Sequence, residues 1–400
     1  MKSALRLAVF FFLVLVLPMR AVPPAGYYLV WSDEFNGASL DPTKWWVWEG
    51  INSSGYTTPA AVTVSGGYMT IATYTENGTN YSAIISSDGL FRERYGYTEA
   101  SVKFNGSPGM FSDFWLQSPD NTGVITGDPA AEGSELDICE HRATDASNID
   151  NISGEVTIDL HWNGYTSGIE KTATSGLVGS GLGAGFHTYG LLWNSTNYNV
   201  SIDGVQTWST NIGVSDRTET VMFSSQISSN SFCGVVPAGG YGGFLVSTTS
   251  TVVDYVRFYA PATTVYWTGS ASGDWSNGGN WLSNMIPAPA SDVFFSYLSA
   301  GNFSVTLDQA TTVNSLSIEE TGAAMGFFGA ALTVNSGGID MLSAINDAGI
   351  YAPLVVGSAQ TWNIPQAGRW SWTRRSPVRA MSLWGSLARW RWMEQTMVPG

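Results

Sequence analysis

Between Tyr28 and about Pro261 apolar and polar residues alternate over short runs, separated by clusters of Gly, Asn, Ser and Pro. "YMTIATYT", "YTEASVKF", "HTYGLLW", "YNVSIDG" and "VVDYVRFY" are such runs, and no long helical period joins them. Successive side chains of a strand point to opposite faces. In "TEASVKF", Glu99, Ser101 and Lys103 therefore share one face and Ala100, Val102 and Phe104 the other. Short strands bounded by turn residues predict an all-β sandwich or jelly roll.

After Pro261 the texture changes. Small residues and Val/Leu/Thr strands recur, and "TVNS" occurs at 312–315 and again at 333–336. This predicts a β-rich accessory segment over 262–367 built of stacked short strands, as in a solenoid. Residues 368–400 crowd Arg and Trp together with neither strand alternation nor a helical stripe, and read as a tail that is not a folded domain. At the other end, Lys2 and Arg6 precede an apolar run from Leu7 to Leu17, then Pro18 and Ala21. That is the layout of a secretory signal over 1–21, so a secreted, extracellular protein with no membrane span after cleavage is expected. The mature catalytic unit would then occupy 22–261.

Composition narrows the function classes. A net charge of −15 argues against a nucleic-acid binder, which needs clustered Lys and Arg. Seventeen Trp in a chain with only 12% charged residues suit either a filled sandwich core or flat faces for sugar rings. Only Cys139 and Cys233 are present, so at most one intrachain disulfide is possible.

Against that low charge, "GSELDICEHR" (133–142) places Glu135, Asp137 and Glu140 within six positions. On a regular strand Glu135 and Asp137 share a face and Glu140 points away. A β-bulge at Ile138 or Cys139 would return Glu140 to that face. The outer pair would then stand roughly 13 Å apart along the backbone, with side chains able to lean together. Carboxyl groups about 5–5.5 Å apart suit retaining glycoside hydrolysis, in which one ionised carboxylate attacks and one protonated carboxyl donates. Interleaved Leu136 and Ile138 place the strand on a core, where idle charges are costly.

"ELDICE" resembles the E-x-D-x-x-E signature of glycoside hydrolase family 16. The resemblance continues in order through "WSDEFNGASLDPTKW", "RYGYTEASVKF", "PGMFSDFWL", "FHTYGLLWNSTNYNVSIDGV" and "VVDYVRFY". It implies a curved, concanavalin A-like β-jelly roll and a secreted, retaining endo-β-glycanase, expected as a monomer acting on a polysaccharide. Glu135 would be nucleophile, Asp137 the assisting acid and Glu140 the general acid/base. Trp115, His161, Trp162 and Gln226 match positions that border the substrate, although Trp115 reads equally as core packing and His161 as a structural histidine. His141 reads as solvent-facing. The resemblance also implies one structural Ca²⁺ at Glu34, Gly67 and Asp254, and no cofactor for catalysis. Tyr97, Phe111, Ser112 and Asp113 depart from the family pattern and alter the cleft floor. With no Arg/Lys cluster on the matched strands, a neutral β-1,3 or β-1,3-1,4 glucan is the expected substrate. An agarase- or carrageenase-type galactanase and a non-catalytic carbohydrate-binding surface protein are the alternatives. A chain ending near Pro261 that keeps full activity would show the residues after it to be accessory.

Overall fold

A computed structural model describes residues 23–119, 121, 128 and 133–364, and the backbone of 370–372. The signal-like segment and nearly all of the Arg/Trp-rich tail lie outside the described residues. Two eight-stranded antiparallel sheets form a jelly-roll sandwich. One runs Val205–Thr210, Tyr198–Ile202, His187–Trp193, Gly96–Asn105, Ser250–Pro261, Tyr68–Ala72 and Val62–Ser65, with Tyr27–Asp33 also on Ser250–Pro261. The other runs Lys171–Thr174, Val156–Trp162, Ser134–Arg142, Met110–Gln117, Glu219–Ile227, Ile84–Ser86 and Trp46–Val47, with Arg92–Glu93 also on Glu219–Ile227.

The alternation read from "TEASVKF" holds as to direction: Ala100, Val102 and Phe104 lie in the core between the sheets. From the facing sheet Phe114, Leu116, Leu136, Ile138, Phe223 and Ile85 enter the same cluster. The intervening residues must then point to that sheet's outer face, and these carry the acids. No α-helix occurs among the described residues, and none is long and apolar enough to cross a membrane.

Beyond Pro261 the strands become parallel. Val293, Leu316, Ile339 and Trp362 stand in one column across successive coils. The two "TVNS" stretches pair through Thr312–Thr333 and Val313–Val334, so the weak repeat is a structural one. A second parallel sheet includes Met325–Gly329 and Ala348–Ile350. The backbone of Trp370–Trp372 adds to it beside Ala348–Ile350, so the tail contributes one strand where sequence reading gave it none.

This solenoid-like unit is not a loosely tethered appendage. Tyr266 and Phe294 belong to the hydrophobic cluster of the sandwich. Around them, buried Arg94 meets Glu319 at 3.5 Å, Asp340 at 3.4 Å and the Ser317 hydroxyl at 2.9 Å. Arg92 pairs with Glu320, whose Oε1 also accepts from Thr218 at 3.1 Å.

Candidate active site

The acid strand Ser134–Arg142 bulges where its spacing demands. Against Met110–Gln117, Trp115 faces Asp137 and Phe114 faces Cys139, leaving Ile138 without an opposite number. Against Val156–Trp162, Asp137 faces Asp159 and Glu140 faces Thr157, three steps on one strand matching two on the other. Leu136, Ile138 and Cys139 all enter the core. Glu135, Asp137 and Glu140 are thereby brought to one outer face, as a bulge with one additional residue allows.

Each acid has distinct neighbours. Glu135 Oε2 accepts from the Tyr165 hydroxyl at 2.5 Å, and that hydroxyl is also 2.9 Å from Gln117 Oε1. Asp137 Oδ2 lies 3.8 Å from His161 Nε2, while His161 Nδ1 bonds Glu170 Oε1 at 2.7 Å. The ring is thus fixed by a carboxylate on its far side, with its other nitrogen turned to the acids. Glu140 Oε1 accepts from Thr157 at 3.1 Å and has Arg142 Nε at 3.5 Å.

Burial and crowding separate their acidities. Burial pushes the Glu140 carboxyl up to about 7, against the pull of Arg142. Asp137 is raised well above the usual carboxylate range by burial, then by Glu135, Asp113, Glu140 and Asp159. Glu135 is raised by burial too, but the Tyr165 hydroxyl and the His161 ring both favour its ionised form.

Of the residues matched to substrate contacts, Trp115 lies on the acid face between core residues Phe114 and Leu116, opposite Asp137. Its indole N–H is buried with no hydrogen-bond partner among the described residues. His161 faces Glu135 across the strands. Gln226 is on the same face, with its Oε1 accepting from Asn52 at 2.9 Å. Trp162 is a correction. One residue past His161, it must take the opposite face, where it packs on the sandwich core and borders a cavity of about 740 Å³ with Asn163, Lys171 and Gly213. His141 is also corrected: it is fully buried, stacked 4.7 Å from Phe104, with Nε2 2.9 Å from the Ser153 carbonyl. Both cysteines are buried and free.

Three site neighbours escaped sequence reading. Tyr165 reaches Glu135 from beyond a turn, Asp159 faces Asp137, and Asp113, noted only as a departure, faces Glu140. Asp113 alternates with core Phe114, which is the one local sign of its direction.

The matched cation positions converge on the other sheet. Ser101 pairs with Tyr255 and Val102 with Val253, making Asp254 the bulged residue of its strand. On that strand's far edge, Tyr27–Asp33 ends opposite Val256 and Met69 pairs with Val253, so Glu34 and Gly67 flank Asp254. The Glu34 carboxylate is taken by Arg257 through two 2.7 Å bonds.

The family model described as beta-porphyranase A-D, GH16 domain, matches residues 29–261. Glucan endo-1,3-beta-glucosidase A1 of Niallia circulans is 24% identical over 210 residues, 45% of this chain and 29% of the relative. The match thus spans less than a third of that relative. A structure reported under "Prominent members of the human gut microbiota express endo-acting O-glycanases to initiate mucin breakdown" superposes with TM-score 0.50 at 20% identity. It covers 60% of this chain and 94% of its own, a likeness of fold. The laminarinase catalytic domain of Thermotoga maritima MSB8 gives TM-score 0.47 at 18% identity, over 58% of this chain and 98% of its own.

Proposed function

The chain belongs to glycoside hydrolase family 16 and is a glycoside hydrolase; from that premise we propose that it cuts internal bonds of a neutral β-1,3 or mixed β-1,3-1,4 glucan with retention. The observation that carries the reading is the bulge that sets Glu135, Asp137 and Glu140 on one open face.

In the first step the ionised Glu135 attacks the anomeric carbon, and the bond to the leaving oxygen breaks as Glu140 gives that oxygen its proton. Glu140, pushed up to about 7, still holds a proton in weakly acidic solution. In the second step Glu140, now a carboxylate, takes a proton from water, which displaces Glu135 and restores both groups. Burial and the acids around it favour the neutral form of Asp137, which can donate a hydrogen bond to the nucleophile. Tyr165 holds the Glu135 carboxylate in place from the other side.

Charge supports a neutral substrate. Arg142, on the acid face, is already engaged by Glu140 and by the Phe232 carbonyl at 3.1 Å. A sulfated chain needs unspent cations. The porphyranase-type description of the matched family model favours a second reading, a β-galactanase of the agarase type. Secretion remains part of the proposal, carried by the N-terminal pattern. So does one structural Ca²⁺ held by Asp254 and the carbonyls of Glu34 and Gly67.

Reducing-end release on laminarin, lichenan, agarose, porphyran and carrageenan separates the two substrate readings. Activity on none of them would overturn both substrate readings. Proton NMR of the first anomer released tests retention.

A further inference from the structure

The acid face carries two unbroken rows of side chains that run across the strands to the sheet's edge. One row passes from Asp159 through Asp137, Trp115, Met222 and Ser86 to Trp46. The other passes from Thr157 through Glu140, Asp113 and Ser224 to Ile84, whose carbonyl accepts from the Trp48 amide at 3.0 Å. Residues directly opposite in a ladder share a face. Trp45 is buried in the core, and Val47 packs against it, so Trp46 and Trp48 project to the acid side.

Both indoles are open, Trp46 at 41% and Trp48 at 38% exposure. Neither is loose. The Trp46 N–H donates to the Asp88 carbonyl at 3.1 Å, and Gly50 lies against the Trp48 ring, where a Cβ would come within 3.8 Å. A fixed, half-exposed indole pair is a poor use of apolar surface in water unless something flat covers it.

The direction of the substrate identifies the occupant. Glu135 and Glu140 serve opposite sides of one bond, so the glycan must pass between them. The line joining them follows the acid strand, and the glycan therefore crosses the strands, along the rows. The edge tryptophans stand four strand spacings from the acids, about 19 Å.

We propose that Trp46 and Trp48 form a distal subsite that stacks on hexose rings of the same β-glycan, several units from the bond cut. This deepens the proposed function and rests on it. The subsite gives the enzyme a reason to prefer long chains and internal bonds.

The test is the ratio of kcat/KM on the polymer that the wild type cleaves to kcat/KM on an aryl trisaccharide of the same linkage, which is too short to reach the edge. Trp46→Ala and Trp48→Ala are each expected to lower that ratio about three- to tenfold, with unfolding temperatures unchanged. Equal losses on both substrates would mark general damage, and an unchanged ratio an idle surface; either result overturns the subsite. Light scattering that finds a dimer in the wild type, lost in the variants while the ratio holds, would assign the edge to a second copy and also overturn it. A wild type inactive on every polymer fails the proposed function separately. Affinity electrophoresis of Glu135→Gln in polymer-containing gels then decides the subsite: retardation lost with both Trp→Ala changes upholds it, and no retardation in any polymer overturns it.

Discussion

Asp113 stands directly opposite Glu140 in the ladder between their strands, and its Oδ1 is buried without a hydrogen-bond partner among the described residues. Its other oxygen accepts only from Ser224, at 3.2 Å. Glu140, by contrast, has Thr157 and Arg142. Burial and the nearby Glu140 charge raise the Asp113 carboxyl well above the usual range, which favours its neutral form. If that neutral form persists while Glu140 titrates, Asp113→Asn should leave the alkaline limb of the pH–rate profile where it is. A limb displaced toward acid in that variant would show that Asp113 is charged and was holding the Glu140 proton by repulsion.

The alkaline limb itself follows from Glu140. Glycosyl transfer needs its proton, so activity should fall as pH rises through about 7. Arg142 favours the ionised form of Glu140, and Arg142→Gln should move the limb to higher pH. The kcat/KM profile of the two proteins between pH 5 and 9, a range set by about two units either side of neutrality, checks both direction and cause.

The bulge was legible because E-x-D-x-x-E cannot satisfy a period of two with all three acids on one face. The error at Trp162 comes from the same rule: adjacent strand residues cannot both face the substrate, and His161 took that place. Asp113, Asp159 and Tyr165 depend on register and turn geometry, which local sequence does not encode. The same holds for the seam between the sandwich and the solenoid-like unit. Nothing near Arg94 announces Glu319 or Asp340, and their meeting is a product of the tertiary fold.

That seam bears on the reading of the residues after Pro261 as an accessory segment. Removing them would strip Arg94 of its carboxylates and uncover apolar surface that Tyr266 and Phe294 now close. Breaking one partner of a buried ion pair costs on the order of 3–5 kcal/mol. Glu319→Ala leaves Arg94 with Asp340 at 3.4 Å, so it should lower stability in chemical denaturation by less than that amount, and a chain ending at Pro261 should unfold at a lower temperature than the full chain. Equal unfolding temperatures would return the second unit to accessory status.

A second buried pair makes stability depend on pH. Glu93 faces Glu219 in the ladder, and burial pushes each carboxyl up to about 8. The native state thus holds protons that the unfolded chain gives up near its ordinary value of 4.5. Stability from this pair is full below that value and declines as pH rises toward about 8. Glu219→Gln keeps an oxygen to accept from Ser134, now bonded at 2.8 Å, and cannot ionise. Its unfolding temperature relative to wild type should rise between pH 5 and pH 8 by a few degrees, ~1 kcal/mol being worth about 2–4 °C in a domain of this size. A difference that does not change with pH would show the pair to be silent.

The central claim is that Glu135 attacks and Glu140 protonates on a face assembled by the bulge. Its most direct test is reducing-end release by wild type and Glu135→Gln on the five-polymer panel. Wild type should cleave at least one polymer, with Glu135→Gln folded but slower by roughly a thousandfold or more. A Glu135→Gln variant that cleaves as fast as wild type would contradict the account.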